Sequence, residues 1–291
     1  MATVLVSETE KLYVLHGVQE DLRVDGRARM DVRPIVVETD LVTHTSGSAH
    51  LRLANSDILV GVKAELEATT PARPTEGRLE FFVDCSANAT PDFEGRGGEN
   101  LATEISQALA RAYQSAHVFD RRQLGVLAGQ QCWVLYVDIL ILECGGNLFD
   151  AVSMAVKAAL SSTRIPKISV TAVDGGEPEL ELSDDPFDGA KLDLRSAPIL
   201  VTLLRIGNFC VVDPTPEEEA CASAGVVMGV NVQGHVTMTK KVGSGSFHQR
   251  GLIEALKNGT AIGVELNRQL LNKLEEEDLQ GYQRPKFGFL S

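Results

Sequence analysis

Two glycines mark the part of this chain that is best suited to bind an anion. Gly145 and Gly146 follow an apolar run at 133–142, which predicts a central strand covered on both faces, and precede a run at 148–160 that is typical of a buried helix. A helix N-terminus presents free main-chain N–H groups and the positive end of its dipole, which together bind phosphate. The position could therefore serve phosphoryl chemistry, provided that hydroxyl or guanidinium groups complete the site.

The residues after the two glycines do not supply these groups. Asn147 can cap the helix, Leu148 and Phe149 stand where polar donors are needed, and the Asp150 carboxylate would repel phosphate. We therefore interpret Asn147, Leu148 and Phe149 as the positions of a degenerate phosphate site. Their expected role is a helix cap with apolar packing or an interface contact.

Acidic residues at two further places could act as catalysts or metal ligands. Asp213 and the glutamates at 217–219 could hold Mg²⁺, but without a phosphate site a solvated acidic turn is favoured. Asp138 interrupts the apolar strand and is expected to be a buried structural partner of an arginine or of main-chain amides. The six histidines form no pair at metal-ligand spacing. No catalytic residue, metal site or cofactor is therefore predicted.

The overall charge argues against a free-standing nucleic-acid-binding protein. The chain has 291 residues and a formal net charge of −13, whereas affinity for polyphosphate needs a basic surface. Contact with RNA must come from a few local arginines or from a surface shared with partner chains. The best candidates are Arg96, in a glycine-rich loop, and Arg111, on the helix that follows. For Arg111 a solvated position on the helix is the alternative.

Membrane and disulfide classes are not indicated. No apolar run approaches the roughly 20 residues needed to span a bilayer, and the first residues lack the basic-then-apolar pattern of a signal peptide. The five cysteines are scattered without a Cys-x-x-Cys pair, which is typical of reduced thiols in an intracellular protein.

The elements that must position these groups predict an α+β fold made of two βα repeats in one compact unit. The expected bounds are an N-terminal helix and leader at 1–26, repeats at about 27–166 and 167–276, and a tail at 277–291. Helices are predicted after a capping box at 7–10 and at 99–116, 148–160 and 247–276. Strands are predicted at 32–38, 49–53, 58–66, 79–85, 133–142, 199–206, 210–213, 225–232 and 235–241, with turns at 174–176 and 184–186.

Three motifs resemble the RNase PH family of phosphate-dependent 3′-to-5′ exoribonucleases. They are RVDGR at 23–27, EGRGG at 94–98 and ECGGNLFD at 143–150. In the first motif, Arg23 and Arg27 can lock the Asp25-Gly26 turn onto the first sheet. The resemblance implies an RNase PH-like fold, of the type also found in ribosomal protein S5 domain 2.

The departure after Gly146 determines what the resemblance implies about activity. Catalytic members carry a small hydroxyl residue and an arginine directly after the two glycines, and this chain does not. It is similar to the eukaryotic exosome ring subunits of the component-seven type, or close ring paralogues, related to the non-catalytic archaeal ring subunit. In that archaeal subunit a helix arginine at about the place of Arg111 faces the RNA path. The alternative is an active phosphate-dependent 3′-to-5′ exoribonuclease.

The same resemblance implies the expected partners and location. The partners would be other RNase PH-like ring subunits, S1/KH cap subunits, a separately associated nuclease, and RNA in the shared channel. The substrates would be rRNA precursors, small structured RNAs and defective mRNAs. The expected location is the nucleus, nucleolus and cytoplasm.

Overall fold

A computed structural model describes residues 5–171, 179–182 and 189–280. The helices in these ranges are α1 (Glu8–Gln19), α2 (Glu99–Ala112), α3 (Leu148–Ser162), α4 (Pro216–Cys221) and α5 (Gln249–Gln280). The strands are β1 (Ile35–Thr39), β2 (Gly47–Leu53), β3 (Ser56–Ala68), β4 (Arg78–Cys85), β5 (Gly125–Leu127), β6 (Gln131–Glu143), β7 (Arg164–Pro166), β8 (Ile168–Thr171), β9 (Glu179–Leu182), β10 (Gly189–Lys191), β11 (Ile199–Ile206), β12 (Phe209–Val212), β13 (Ala224–Val230) and β14 (Val236–Val242). The predicted turns at 174–176 and 184–186 lie outside the described residues.

The first sheet has the strand order β1-β2-β3-β6-β4, with β5 paired to β6. Its neighbours are antiparallel except β4 and β6, which run parallel. A parallel pair needs a long crossover, and α2 lies between the two strands in the chain and packs on β4. The predicted central place of the apolar strand is confirmed, since β6 lies between β3 and β4.

Only one face of β6 is fully covered. Alternate residues Trp133, Leu135 and Val137 are buried in the core, whereas Asp138 on the opposite face is exposed. The expectation of a sheet covered on both faces and of a buried Asp138 was therefore wrong. The prediction failed because the second face also carries apolar residues, so the sequence pattern is that of a fully buried strand. In the structure the described helices leave part of that face exposed.

The second sheet has the order β12-β11-β13-β14, and α5 packs on β11 and β13. Helix α3 contacts β2 and β3 of the first sheet and β11 of the second. This position confirms that the apolar helix is buried on several sides. Even Lys157 is buried there, where its Nζ donates to the Ala197 carbonyl at 2.6 Å and to Asn267 Oδ1 at 2.7 Å. Burial lowers the pKa of Lys157 to about 7.

Two predicted helix ends need correction. Helix α2 ends at Ala112 rather than at residue 116, and α5 continues to Gln280, four residues into the predicted tail. Gly259 lies inside α5. A Cβ there would approach Met228 Sδ to 2.4 Å and Leu203 Cδ1 to 2.6 Å. The glycine therefore lets the helix pack closely on the second sheet.

Candidate functional site

The two-glycine turn before α3 lies against the second half of the chain. Gly146 has a φ of +82°, in the region that favours glycine, and a Cβ there would lie 2.8 Å from the Pro214 carbonyl oxygen. The two glycines thus form a tight turn between β6 and α3. The chain that leads into α4 therefore lies directly over the candidate phosphate position.

Asn147, the residue directly before α3, contacts this segment. Its backbone is left-handed, with a φ of 55°, and its side chain makes no helix-capping bond, contrary to expectation. Instead its Nδ2 donates to Asp150 Oδ2 at 2.9 Å and to Asp213 Oδ1 at 2.8 Å. Its main-chain N–H donates to Glu219 Oε1 at 2.8 Å. A carboxylate of the chain itself thus occupies the helix N-terminus.

Asp213 lies in the middle of this cluster and is 1% exposed. Arg33 Nε donates to Asp213 Oδ2 at 2.9 Å, and Arg33 Nη2 donates to Oδ1 at 2.7 Å. Arg27 Nη1 donates to Oδ2 at 3.0 Å. Burial opposes ionisation of Asp213, but the bonds and charge of Arg33 hold the pKa of this carboxyl below its ordinary value.

Arg33 also fastens the glycine turn. Its Nη1 donates to the Gly145 carbonyl at 2.5 Å and its Nη2 to the Gly146 carbonyl at 3.2 Å. Sequence reasoning missed this residue, although an arginine inside the predicted strand at 32–38 was a signal of a buried, paired charge. Arg33 joins the turn before α3 to the aspartate after β12.

The sequence suggested that the acidic segment after Asp213 is a solvated turn, and this expectation was wrong. Pro216–Cys221 form α4, and a reciprocal capping box joins Thr215 and Glu218. Glu218 is buried and accepts a bond from Arg23 Nε at 2.8 Å. No group of acidic, histidine or cysteine side chains suited to a metal ion occurs among the described residues.

The leader motif contacts a different sheet from the one expected. Arg23 donates to the carbonyls of Val212 and Asp213 at 2.9 and 2.8 Å, at the end of β12. Its guanidinium and that of Arg27 therefore hold the leader on the second half of the chain. The expectation that they lock it onto the first sheet was wrong, because their acidic partners come from the segment 213–218.

Asp150 points into the protein rather than towards a ligand. It is buried and accepts bonds from the Thr202 N–H at 2.9 Å and from Thr202 Oγ1 at 2.6 Å. Burial raises the pKa of Asp150 to about 7. Asp150 was expected to face a phosphate and repel it. Its carboxyl group instead joins α3 to β11 through Thr202.

The two apolar positions after Asn147 also face their own fold. Leu148 is buried in the core. Phe149 is half-buried, and the Lys240 Nζ lies 5.1 Å from the centre of its ring. Neither side chain can donate a hydrogen bond to a phosphate.

The two predicted RNA-contacting arginines lie elsewhere, around α2. Arg96 is 91% exposed, and its Nε lies 3.6 Å from Glu99 Oε1. Arg111 is exposed in the last turn of α2 and lines a cleft of about 400 Å³. The structure therefore brings Asn147, Asp150 and Asp213 together and places both arginines on the surface.

Comparison with family models identifies the class of protein. The models for domain 1 and domain 2 of the RNase PH 3′ exoribonuclease family match residues 31–166 and 196–262. The chain belongs to this family. The predicted RNase PH-like α+β fold is confirmed by this match and by the solved structures that the chain resembles.

Its similar relatives are exosome proteins by name. A Dictyostelium discoideum protein, whose name describes a proposed exosome complex exonuclease RRP42, is 32% identical over 93% of this chain and 98% of its own length. The exosome complex component Rrp42 of Methanopyrus kandleri is also 32% identical, with the same shares covered. A chain of the Archaeoglobus fulgidus exosome with RNA bound to the active site has a TM-score of 0.75 at 25% identity, over 89% of this chain and 96% of that one.

Proposed function

We propose that this chain is a non-catalytic subunit of an exosome ring. Membership of the RNase PH family and similarity to proteins named as Rrp42 components support its place in such a complex. In this role the chain forms part of the wall around a central channel through which RNA passes. It does not itself cleave RNA.

The observation that carries this proposal is the bond from the Asn147 N–H to the Glu219 carboxylate. Phosphorolysis needs an inorganic phosphate at a helix N-terminus. Here the Glu219 side chain already accepts the N–H at the start of the helix and fills that position. Burial raises the pKa of this carboxyl, so the position is blocked by the side chain itself whether or not it is ionised. Asp213, which accepts a bond from the Asn147 side chain, is paired with Arg27 and Arg33 and is not free to bind Mg²⁺.

The proposed partners and substrates follow from this role. The partners are other RNase PH-like ring subunits, S1/KH cap subunits, a separately associated nuclease and RNA in the shared channel. The RNA substrates are rRNA precursors, small structured RNAs and mRNA, in nucleus, nucleolus and cytoplasm. Arg111 and Arg96 are the proposed RNA contacts within this chain.

The composition of the purified complex tests the proposal. We expect affinity purification of the tagged chain to recover other RNase PH-like proteins in equal amounts, together with a nuclease. The proposal would be overturned if the tagged chain were recovered alone while the exosome ring in the same cells assembled without it.

An active phosphorolytic exoribonuclease is the second candidate, because the family is enzymatic and the name of the Dictyostelium relative includes an exonuclease. The two functions differ in one assay. The purified chain is incubated with RNA, phosphate and Mg²⁺, and we expect no release of nucleoside diphosphates. Phosphate-dependent release of nucleoside diphosphates by the wild-type chain would favour the enzyme.

A further inference from the structure

A second cluster of charge lies away from the closed helix N-terminus. The cleft beside Arg111 is formed by the end of α2, the segment 70–78 and Arg121. Four arginines and one glutamate line it: Arg73, Arg78, Arg111, Arg121 and Glu76. This is a strong local excess of positive charge in a chain whose net charge is −13.

The four guanidinium groups are only partly compensated. Arg73 Nη1 lies 3.3 Å from Glu76 Oε2, and Arg78 pairs with Glu67 and, at 3.9 Å, with Glu80. Arg111 forms no ion pair with the residues that the structure describes. The number of arginines therefore exceeds the number of carboxylates that face them.

Two of these side chains also hold buried donors without an acceptor. Arg121 Nη2 donates to the Tyr113 carbonyl at 3.4 Å, but Arg121 Nε is buried and unpartnered. Arg78 Nε is also buried and has no hydrogen-bond acceptor. Burial, and secondly the charge of Arg73, lower the pKa of Arg121. A buried N–H normally has a partner, so the cleft lacks acceptor oxygens as well as negative charge.

We propose that this arginine cleft binds phosphate groups of single-stranded RNA, and that Arg73, Arg78 and Arg121 act there together with Arg111. The inference rests on the proposed function, which brings RNA past this chain. A phosphodiester supplies the missing charge and several acceptor oxygens at once. Because the arginines come from a loop, a strand and a helix end, they can contact successive phosphates.

The lining also indicates how the strand is recognised. Among the described residues no aromatic side chain lines the cleft, so the lining offers bases no ring on which to stack. Contact through the phosphates alone carries no sequence information. The cleft therefore binds RNA independently of sequence, as a passage for many substrates requires.

The test uses the reconstituted ring and a fluorescent oligouridine, with affinity measured over a range of salt concentrations. The variant Arg73→Gln/Arg111→Gln changes two exposed residues, so folding is not at risk. We expect its salt slope to be shallower by about 1.4, at roughly 0.7 for each lost phosphate contact, and its RNA affinity to fall about tenfold or more. The control Arg122→Gln/Arg195→Gln removes two exposed arginines outside the cleft and should match the wild type.

A further variant separates charge from hydrogen-bonding geometry. Arg121→Lys keeps the positive charge but loses the planar fork, so we expect an unchanged salt slope with weaker binding. An affinity and slope equal to wild type in both cleft variants would overturn the cleft proposal. A cleft variant whose ring fails to assemble would also overturn it, since the cleft would then be a subunit interface.

The two proposals fail in different ways. If wild-type chain does not enter a ring, the proposed function fails, and the same titration on the chain alone decides the cleft. If the ring assembles but RNA binding ignores the cleft, only the cleft proposal fails. Binding of a phosphopeptide in preference to RNA would likewise overturn the choice of ligand.

Discussion

Arg33 and Asp213 form a two-point ion pair, with Nε to Oδ2 at 2.9 Å and Nη2 to Oδ1 at 2.7 Å. The pair joins the segment directly before β1 to the residue directly after β12. Both side chains are buried, at 8% and 1% exposure. A buried ion pair adds little net stability over an apolar pair, but loss of one partner leaves a buried charge uncompensated.

Asp213→Asn should therefore destabilise the protein strongly. Arg33 and Arg27 would keep their charges and lose their carboxylate, at a cost of about 3–5 kcal/mol in the free energy of unfolding. Urea denaturation measures this directly. Asp25→Asn, which removes a more exposed partner of Arg27, is the control and should cost about 1 kcal/mol or less. Equal losses in both variants would contradict the buried network.

The pH dependence of stability should contain a component from Asp150. Its pKa is about 7 in the folded protein and about 3.9 in an unfolded chain. Between these values the folded state keeps a proton that the unfolded state releases. The contribution of Asp150 is therefore fully present below pH ~4 and is lost as the pH rises to about 7.

Asp150→Asn isolates this component. The variant should lose stability at every pH, because an amide cannot accept all three bonds that Asp150 receives. The difference in unfolding free energy between wild type and variant should shrink as the pH rises from 5 to about 7. A difference that stays constant over this range would show that Asp150 is ionised throughout. Glu217→Gln, on the exposed side of α4, is a suitable control.

Glu219→Gln should test whether a negative charge helps to hold α3. The glutamine amide oxygen can still accept the Asn147 N–H, so the variant removes only the charge that faces the helix dipole, at a cost of about 0.5–2 kcal/mol. The cost should appear at a pH high enough to ionise Glu219, because burial raises the pKa of this carboxyl. Thermal unfolding of this variant is compared with that of Glu217→Gln, which should lie close to wild type. Both variants should release no nucleoside diphosphates from RNA, since the hydroxyl and guanidinium donors are still missing.

The sequence predicted most of the fold because its apolar patterns are local. The buried helix at 148–160, the central strand at 133–142 and the capping box at Ser7 all match the structure. Each depends on the spacing of neighbouring residues, which a single sequence displays. That no hydroxyl residue and arginine directly follow Gly146 is visible in the sequence for the same reason.

The network around that site was not predictable, because its members are far apart in the chain. Arg33 and Asp213 are separated by 180 positions, and nothing in either local pattern indicates the other. The acidic run at 217–219 looked solvated because its partners, Arg23 and the Asn147 N–H, come from other segments. Whether a charged residue is buried depends on tertiary contacts. For the same reason Asp138 was expected to be buried and is in fact exposed.

The open face of the first sheet should make the isolated chain self-associate. Phe82 and Val36 are 52% and 56% exposed, which favours contact between copies when partners are absent. Phe82→Ser/Val36→Thr should shift sedimentation towards the monomer. Phe209→Ser is the matched control, because its ring lies under the Arg29 guanidinium at 4.4 Å and is less available. A wild-type chain that is already a monomer at high concentration would contradict the expectation.

The Arg96 guanidinium is exposed enough to contact a passing RNA strand. It is 91% exposed in a loop that holds three glycines, and its only described ion pair, with Glu99, is long at 3.6 Å. A pair so exposed contributes less than about 1 kcal/mol, so Arg96→Gln should leave the unfolding midpoint unchanged. In the assembled ring it should lower the salt slope of RNA binding by about 0.7. Glu99→Gln is the informative control: it releases Arg96 from its partner and removes a negative charge, so RNA affinity should rise. If neither substitution alters RNA binding, the loop at 94–98 lies away from the path of the RNA.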